Sequence, residues 1–257
     1  MCRLLAWRSE TPLTPREVLG ADADQLAELS RVHCDGWGYA RVATGADSGT
    51  AIAVDRGADP AHLSAEFRTV MQDDAATAGI IHLRWATEGL EVSLGNTHPF
   101  LASIPGGTVA FVHNGMVPES AALLPLVDAD LQAEFRGDTD SERYFGVLMT
   151  ELRRADGDVV DAYRRTAKLL ADFAYTSLNS MILTPTTLAI ACLHKPENRS
   201  RDVDEDYFHL TWGVHDGVVS AWSMGVHPHA PDQRPLDNGH LLTVDLASGT
   251  IDLVPIA

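Results

Sequence analysis

Apolar residues along this chain fall into short continuous runs, separated by stretches with helical spacing. Leu4-Leu5-Ala6-Trp7 is a run of strand length and predicts a buried strand at the start. Thr14-Pro15-Arg16-Glu17 opens a helix: Thr14 can cap, Pro15 suits the first helical position, and Glu17 completes a capping box. Leu19, Leu26 and Leu29 give it a partial apolar face to about Arg31. A hairpin is expected from Tyr39–Ala43 and Ala51–Asp55, with Gly45–Gly49 as its loop, and a second helix from Asp59-Pro60 to about Met71. Ala78–Trp85 and Thr108–His113 read as strands. Thr139-Asp140-Ser141-Glu142 is a second capping box, opening a helix to about Arg154. A further helix over Val159–Tyr175 places Val160, Tyr163, Ala167, Leu170 and Ala174 on one face. The last third is strand-rich: Ser180–Leu183, Thr187–Leu193, Tyr207–Val214, Val218–Trp222, His240–Asp245 and Thr250–Val254, with a charged loop at Pro196–Glu205. No linker, repeat or low-complexity stretch divides the chain, so one domain over residues 1–257 is expected.

Composition narrows the partners more than the chemistry. The 257 residues suffice to bury roughly 70–75% of the unfolded surface. A net charge of −17 argues against nucleic acid and anionic membrane as partners. No apolar run approaches the roughly 18–20 residues of a membrane span. Arg3, Arg8 and Glu10 interrupt any signal-peptide core. Three cysteines, Cys2, Cys34 and Cys192, make neither a disulfide framework nor a ligand spacing, which fits a cytoplasmic protein. His227-Pro228-His229 invites a metal reading, but no Cys or carboxylate spacing supports it, and no metal or organic cofactor is expected.

Candidate chemistry begins at Cys2. Removal of Met1 before so small a side chain would leave a residue carrying both a thiol and a free α-amine. An α-amine has a reference pKa of about 7.7–8.0, well suited to accept a thiol proton near neutral pH. Nucleophile plus terminal amine is one of the known activated arrangements. Further along, Arg84 ends an apolar strand, where a charge is either solvated or holds an anion. Asn114-Gly115 follows another strand. It is a hairpin signal on one reading and, on the other, a pair of donors for a developing oxyanion.

Cys2-Arg3, Asp35-Gly36-Trp37-Gly38, His82-Leu83-Arg84-Trp85-Ala86-Thr87, Asn96-Thr97-His98-Pro99-Phe100, His113-Asn114-Gly115 and Thr139-Asp140-Ser141-Glu142, taken in order, resemble the glutaminase domain of class II glutamine amidotransferases, which are N-terminal-nucleophile hydrolases. The motifs cover about the first 155 residues, and the remaining strands look like the closing half of small stand-alone members. The resemblance implies an α+β fold, a four-layer αββα sandwich of two antiparallel sheets. It implies Cys2 as nucleophile and Asn114 and Gly115 as the oxyanion hole. Arg84 would hold the substrate α-carboxylate and Asp140 its α-ammonium. Thr87 and His98 would shape the pocket, and the loop carrying Gly36 and Trp37 would lie close to the substrate. The implied reaction forms a γ-glutamyl thioester on Cys2 and releases glutamate from glutamine or another γ-glutamyl amide, with no cofactor.

Larger members of this family carry a synthase domain that receives ammonia, and here the sequence ends soon after the glutaminase motifs. Three readings follow: a self-sufficient amidohydrolase, a glutaminase subunit feeding a separate synthase partner, and a catalytically silent binding member. Intact motifs argue against the third. The sequence leaves open whether copies of the chain form a homo-oligomer.

Overall fold

The apolar run at the N-terminus forms a strand, β1 (Arg3–Leu13), and the rest of one sheet is built on both sides of it. The computed structural model describes residues 2–43, 51–87, 89–198 and 204–257. After β1 come α1 (Pro15–Leu19), α2 (Ala23–Leu29), β2 (Trp37–Val42), β3 (Ile52–Gly57), α3 (Ala65–Asp73) and β4 (Ala76–Leu83). Next are β5 (Phe100–Ile104), β6 (Gly107–Asn114), α4 (Ala129–Gln132), α5 (Asp140–Arg154) and α6 (Val159–Leu169). The closing strands are β7 (Asn179–Leu183), β8 (Thr187–Cys192), β9 (Leu210–His215), β10 (Val218–Ser223), β11 (Arg234–Leu236), β12 (His240–Asp245) and β13 (Ile251–Pro255).

Two antiparallel sheets result. One has seven strands in the order β11-β9-β10-β1-β4-β2-β3, the other six in the order β13-β12-β8-β7-β6-β5. Strand alternation then distributes the core. Leu4 and Ala6 of β1 meet Ala110 and Val112 of β6, Met181 and Ile190 between the sheets. Leu5 and Trp7 turn the other way, onto Leu19 and Leu26 of the first helices and Phe67 of α3. Phe111 of β6 faces Tyr144, Phe145 and Leu148 of α5. Both faces of the central strands are therefore covered, which is why their sequences read as unbroken apolar runs. The layers stack helix, sheet, sheet, helix, as expected.

Several boundaries differ from expectation. The first helix is broken at Gly20, which has φ +53° and begins a single 3-10 turn before α2. The capping box at Thr14 and Glu17 is present. Asp59-Pro60 does not start a helix; α3 begins after Ser64, whose hydroxyl accepts the N–H of Phe67. β5 was not expected, because its five residues follow a Pro in a segment that reads as a polar turn. Asn114-Gly115 is not a hairpin: β6 pairs with β5 and β7, and the chain then leads through a loop and a 3-10 segment to α4. Half of the expected charged loop at Pro196–Glu205, and all of Gly45–Gly49, lie outside the described residues. None of the described helices is long and apolar enough to cross a membrane.

Candidate active site

The site forms where strand ends from both sheets converge on the start of α5. Arg3 of β1 pairs with Leu83 of β4, and Leu83 pairs with Trp37 of β2, so the residues just beyond these ends, Cys2, Arg84 and Gly36, are neighbours. The ladder extends past the strands: Arg84 N–H donates to Gly36 O (2.8 Å), and Asp35 N–H to Arg84 O (3.0 Å). From the second sheet, β6 delivers His113, Asn114 and Gly115 to the same end. Among the residues lining one narrow pocket, with room for about 30 Å³, are Cys2, Arg84, Thr87, His98, Gly115 and Asp140, together with Asn96, His113 and Ser141. Two roomier clefts, about 510 and 620 Å³, lie elsewhere and contain none of the expected residues. Chemistry rather than volume picks out the site.

Cys2 is 8% exposed, with its Sγ 3.9 Å from the Trp85 carbonyl. Its backbone nitrogen donates to Oδ1 of Asn114 at 2.9 Å. That bond fixes the orientation of the Asn114 amide, whose Nδ2 is buried without any hydrogen-bond partner. A buried unsatisfied donor calls for an explanation. Gly115 sits against the Ser177 carbonyl so closely that a Cβ there would lie 1.9 Å from it, so only glycine fits.

Arg84 is almost fully buried, donating from Nη1 to Asp35 O (3.2 Å) and from Nη2 to Glu91 O (3.1 Å). No carboxylate among the described residues pairs with it. Burial pulls its pKa below the usual arginine value, partly offset by the nearby Cys2, Asp35 and Asp138. Asp140 occupies the first turn of α5 and accepts the Val117 N–H through Oδ2 at 2.7 Å. Thr139 caps that helix, accepting the N–H of Glu142. The Glu142 carboxylate does not complete the expected box; it accepts the N–H groups of Arg136 (2.8 Å) and Gly137 (2.9 Å) instead.

Three buried imidazoles underlie the pocket. His113 contacts Ser141 Oγ through Nδ1 (2.9 Å) and Ser177 O through Nε2 (3.0 Å), tying β6 to the start of α5. His82 and His98 lie with ring centroids 4.1 Å apart, and both nitrogens of His98 lack partners. Burial is the main cause that lowers all three pKa values: His82 to about 3, His98 well below the ordinary value, and His113 below it despite Asp140 nearby. Burial thus favours the neutral form of all three.

Gly36 and Trp37 are not brought to the pocket. Trp37 is fully buried among Phe67 and its neighbours, with Nε1 donating to Asp59 (3.1 Å). Gly36 is buried at φ +135°, its Cβ position filled by the Gly57 carbonyl. The second glycine of the motif, Gly38, lies under the His98-Pro99 backbone, 2.1 Å from where a Cβ would be. The motif's glycines thus let β2 approach β3 and the segment holding His98, and do not themselves face the pocket. His227 and His229 are tied to one carboxylate, Asp22, at 2.6 Å each, and neither lines the pocket. Sequence reasoning also missed Asn96, Ser141 and Tyr207. The Tyr207 hydroxyl donates to the Cys2 carbonyl (3.4 Å) across a separation no local pattern signals.

A seven- and a six-stranded antiparallel sheet lie between helices, with Cys2 at the head of the strand in the middle of the larger sheet. The family model described as glutamine amidotransferases class-II matches residues 1–182, and the chain belongs to that family. A putative glutamine amidotransferase of Haemophilus influenzae is 28% identical over 80% of this chain and 70% of its own length. A glutamine–fructose-6-phosphate aminotransferase of Streptomyces coelicolor is 37% identical over 54% of this chain, but that region is 22% of the relative. Among solved structures, a glutamine amidotransferase class-II domain protein from Silicibacter pomeroyi superposes over the whole of both chains with a TM-score of 0.64 at 18% identity. The glutamine phosphoribosylpyrophosphate amidotransferase of Bacillus subtilis matches all of this chain and 49% of its own with a TM-score of 0.67 at 16% identity.

Proposed function

We propose that the chain is a cysteine-dependent amidohydrolase that cleaves the γ-amide of glutamine or of a γ-glutamyl compound. The observation that carries this reading is the Asn114 amide, held by Cys2 at one end and left with a buried, unpaired donor at the other. Loss of Met1 turns the Cys2 nitrogen into an α-amine that takes the thiol proton. Sγ then attacks the γ-carbonyl carbon, and the negative charge that develops on its oxygen is met by Asn114 Nδ2 and the Gly115 N–H. As the C–N bond breaks, the amine leaves with the proton returned from the α-ammonium. Water then hydrolyses the thioester to glutamate. Arg84, with no carboxylate paired to it among the described residues, offers its guanidinium to the substrate α-carboxylate. Asp140 keeps an oxygen for the α-ammonium, and Thr87 and His98 bound the cavity.

An amino-acid head group needs more room than the pocket offers, so the outer wall of Trp85, Ala86 and Thr87 has to shift outward on binding. A second reading, a glutaminase subunit delivering ammonia to a synthase, draws on Trp85, Val92 and Leu94. These are large apolar side chains left exposed on the segment that covers the pocket. Glutamate release by the Met-trimmed chain, measured on glutamine and on a panel of γ-glutamyl amides, tests both. Strong preference for one γ-glutamyl compound supports the hydrolase. Slow turnover of glutamine alone supports the subunit, and no release from any of them contradicts both.

A further inference from the structure

Arg3 takes no part in the chemistry above, yet it is the charged side chain bound most directly to Cys2. It is 6% exposed, and its Nη1 donates to the Cys2 carbonyl at 3.2 Å. The guanidinium carbon lies 4.3 Å from the centre of the Tyr207 ring, and Nε is buried without a hydrogen-bond partner. The Tyr207 hydroxyl donates to the same Cys2 carbonyl. Among the described residues no carboxylate comes within ion-pair distance of Arg3. A buried cation with no described carboxylate partner is costly for a fold, and such groups gather at functional sites.

We propose that Arg3, braced by Tyr207, is a positioning residue whose fixed charge keeps the Cys2 α-amine unprotonated and ready to accept the thiol proton at neutral pH. This deepens the reading of Cys2 as an N-terminal nucleophile and rests on it. The guanidinium sits on the carbonyl of the same residue that carries the amine, roughly 6 Å away by covalent dimensions. At an effective dielectric constant of about 20–40, repulsion over that distance lowers the proton affinity of the amine by about 10- to 100-fold. Other groups face Cys2. Arg84, beyond β4, adds positive charge, whereas Asp35 before β2 and Asp140 at the start of α5 oppose it. His82, His98 and His113 are held neutral by burial. Asp204, Glu205 and Asp206, leading into Tyr207, are exposed. Once a substrate carboxylate neutralises Arg84, Arg3 remains as a cation beside the amine.

The test is the titration of the Cys2 α-amine, followed by ¹⁵N NMR of cysteine-labelled, Met-trimmed protein, alongside the acid limb of kcat/KM for glutamate release. Arg3→Met should raise both midpoints by about one pH unit or more. Arg3→Lys, which restores the charge, should bring both back toward the unsubstituted protein. Tyr207→Phe should lower kcat with the midpoint in place. Arg3→Gln replaces Arg3→Met if the latter does not fold. An amine midpoint unchanged in the neutral variant, with activity lost evenly at every pH, overturns the proposal and leaves Arg3 a packing residue. The NMR titration needs no turnover, so a chain that releases no glutamate would sink the proposed function while still deciding the role of Arg3.

Discussion

Substitution of Asn114 separates the two jobs assigned to its amide. Asn114→Ala removes the acceptor that holds the Cys2 nitrogen at 2.9 Å and the unpaired Nδ2 donor together. Losing one neutral hydrogen bond costs about 1 kcal/mol of stability. Losing an oxyanion donor costs about 2.7–4 kcal/mol in the transition state, or 10²–10³ in kcat, so the catalytic loss dominates. Asn114→Asp keeps the shape and the acceptor for Cys2 but replaces the donor with a second acceptor aimed at the developing charge. It should therefore be at least as slow as the alanine variant, although it preserves more of the native contacts. The assay is glutamate release at saturating substrate, with thermal unfolding run in parallel to confirm the fold. An alanine variant within about threefold of the unsubstituted kcat, or an aspartate variant clearly faster than alanine, would refute the oxyanion assignment.

Other consequences are equally concrete. Gly115→Ala pushes a Cβ to within 1.9 Å of the Ser177 carbonyl and 2.8 Å of His113 Nε2. It should cost about 1–3 kcal/mol, visible as a lowered Tm, and abolish turnover because β6 must shift at the nucleophile. Arg84→Lys should raise KM about tenfold or more with a smaller change in kcat, since a two-pronged grip becomes a point contact; an unchanged KM removes Arg84 as the carboxylate anchor. The buried imidazoles make stability depend on pH. Their folded pKa values are depressed, so their contribution is fully present above the unfolded value of about 6.5 and is lost as pH falls toward the folded value. For His82, with a folded pKa of about 3, the window runs from about 6.5 down to about 3, with His98 and His113 adding in the same direction. Urea unfolding at pH 7.5, 6 and 5 should show a steep decline that His82→Gln flattens. Equal slopes for the two proteins would mean that His82 titrates normally in the fold.

What the sequence revealed and what it hid follow from how far apart the partners lie. Caps at Thr14 and Thr139 are local, involving donors three residues on, and both were legible. The central strands were legible because they are covered on both faces and leave unbroken apolar runs. The split after Gly20 and the late start of α3 at Ser64 were not, since an apolar face spaced like a helix does not record where the backbone bends. Trp37 shows the limit of motif reading. The glycines beside it do serve close approach, but what approaches is the His98-Pro99 backbone and β3, while the indole goes to the core. Cys2, Arg84, Asn114 and Asp140 were each ambiguous on local pattern, and only the ordered resemblance to class II glutamine amidotransferases gave them roles. Tyr207 and Ser177 reach the site from more than sixty residues away in sequence, and their side-chain types alone carry no signal.

The central claim is that Cys2, as the first residue of the mature chain, carries the acyl group. Peptide mass analysis of protein quenched during turnover of glutamine or a preferred γ-glutamyl amide tests it directly. The account predicts an N-terminal peptide that begins at Cys2 and gains one glutamyl unit, absent in Cys2→Ala. An active protein that retains Met1, or a glutamyl adduct on Cys34 or Cys192, would contradict it.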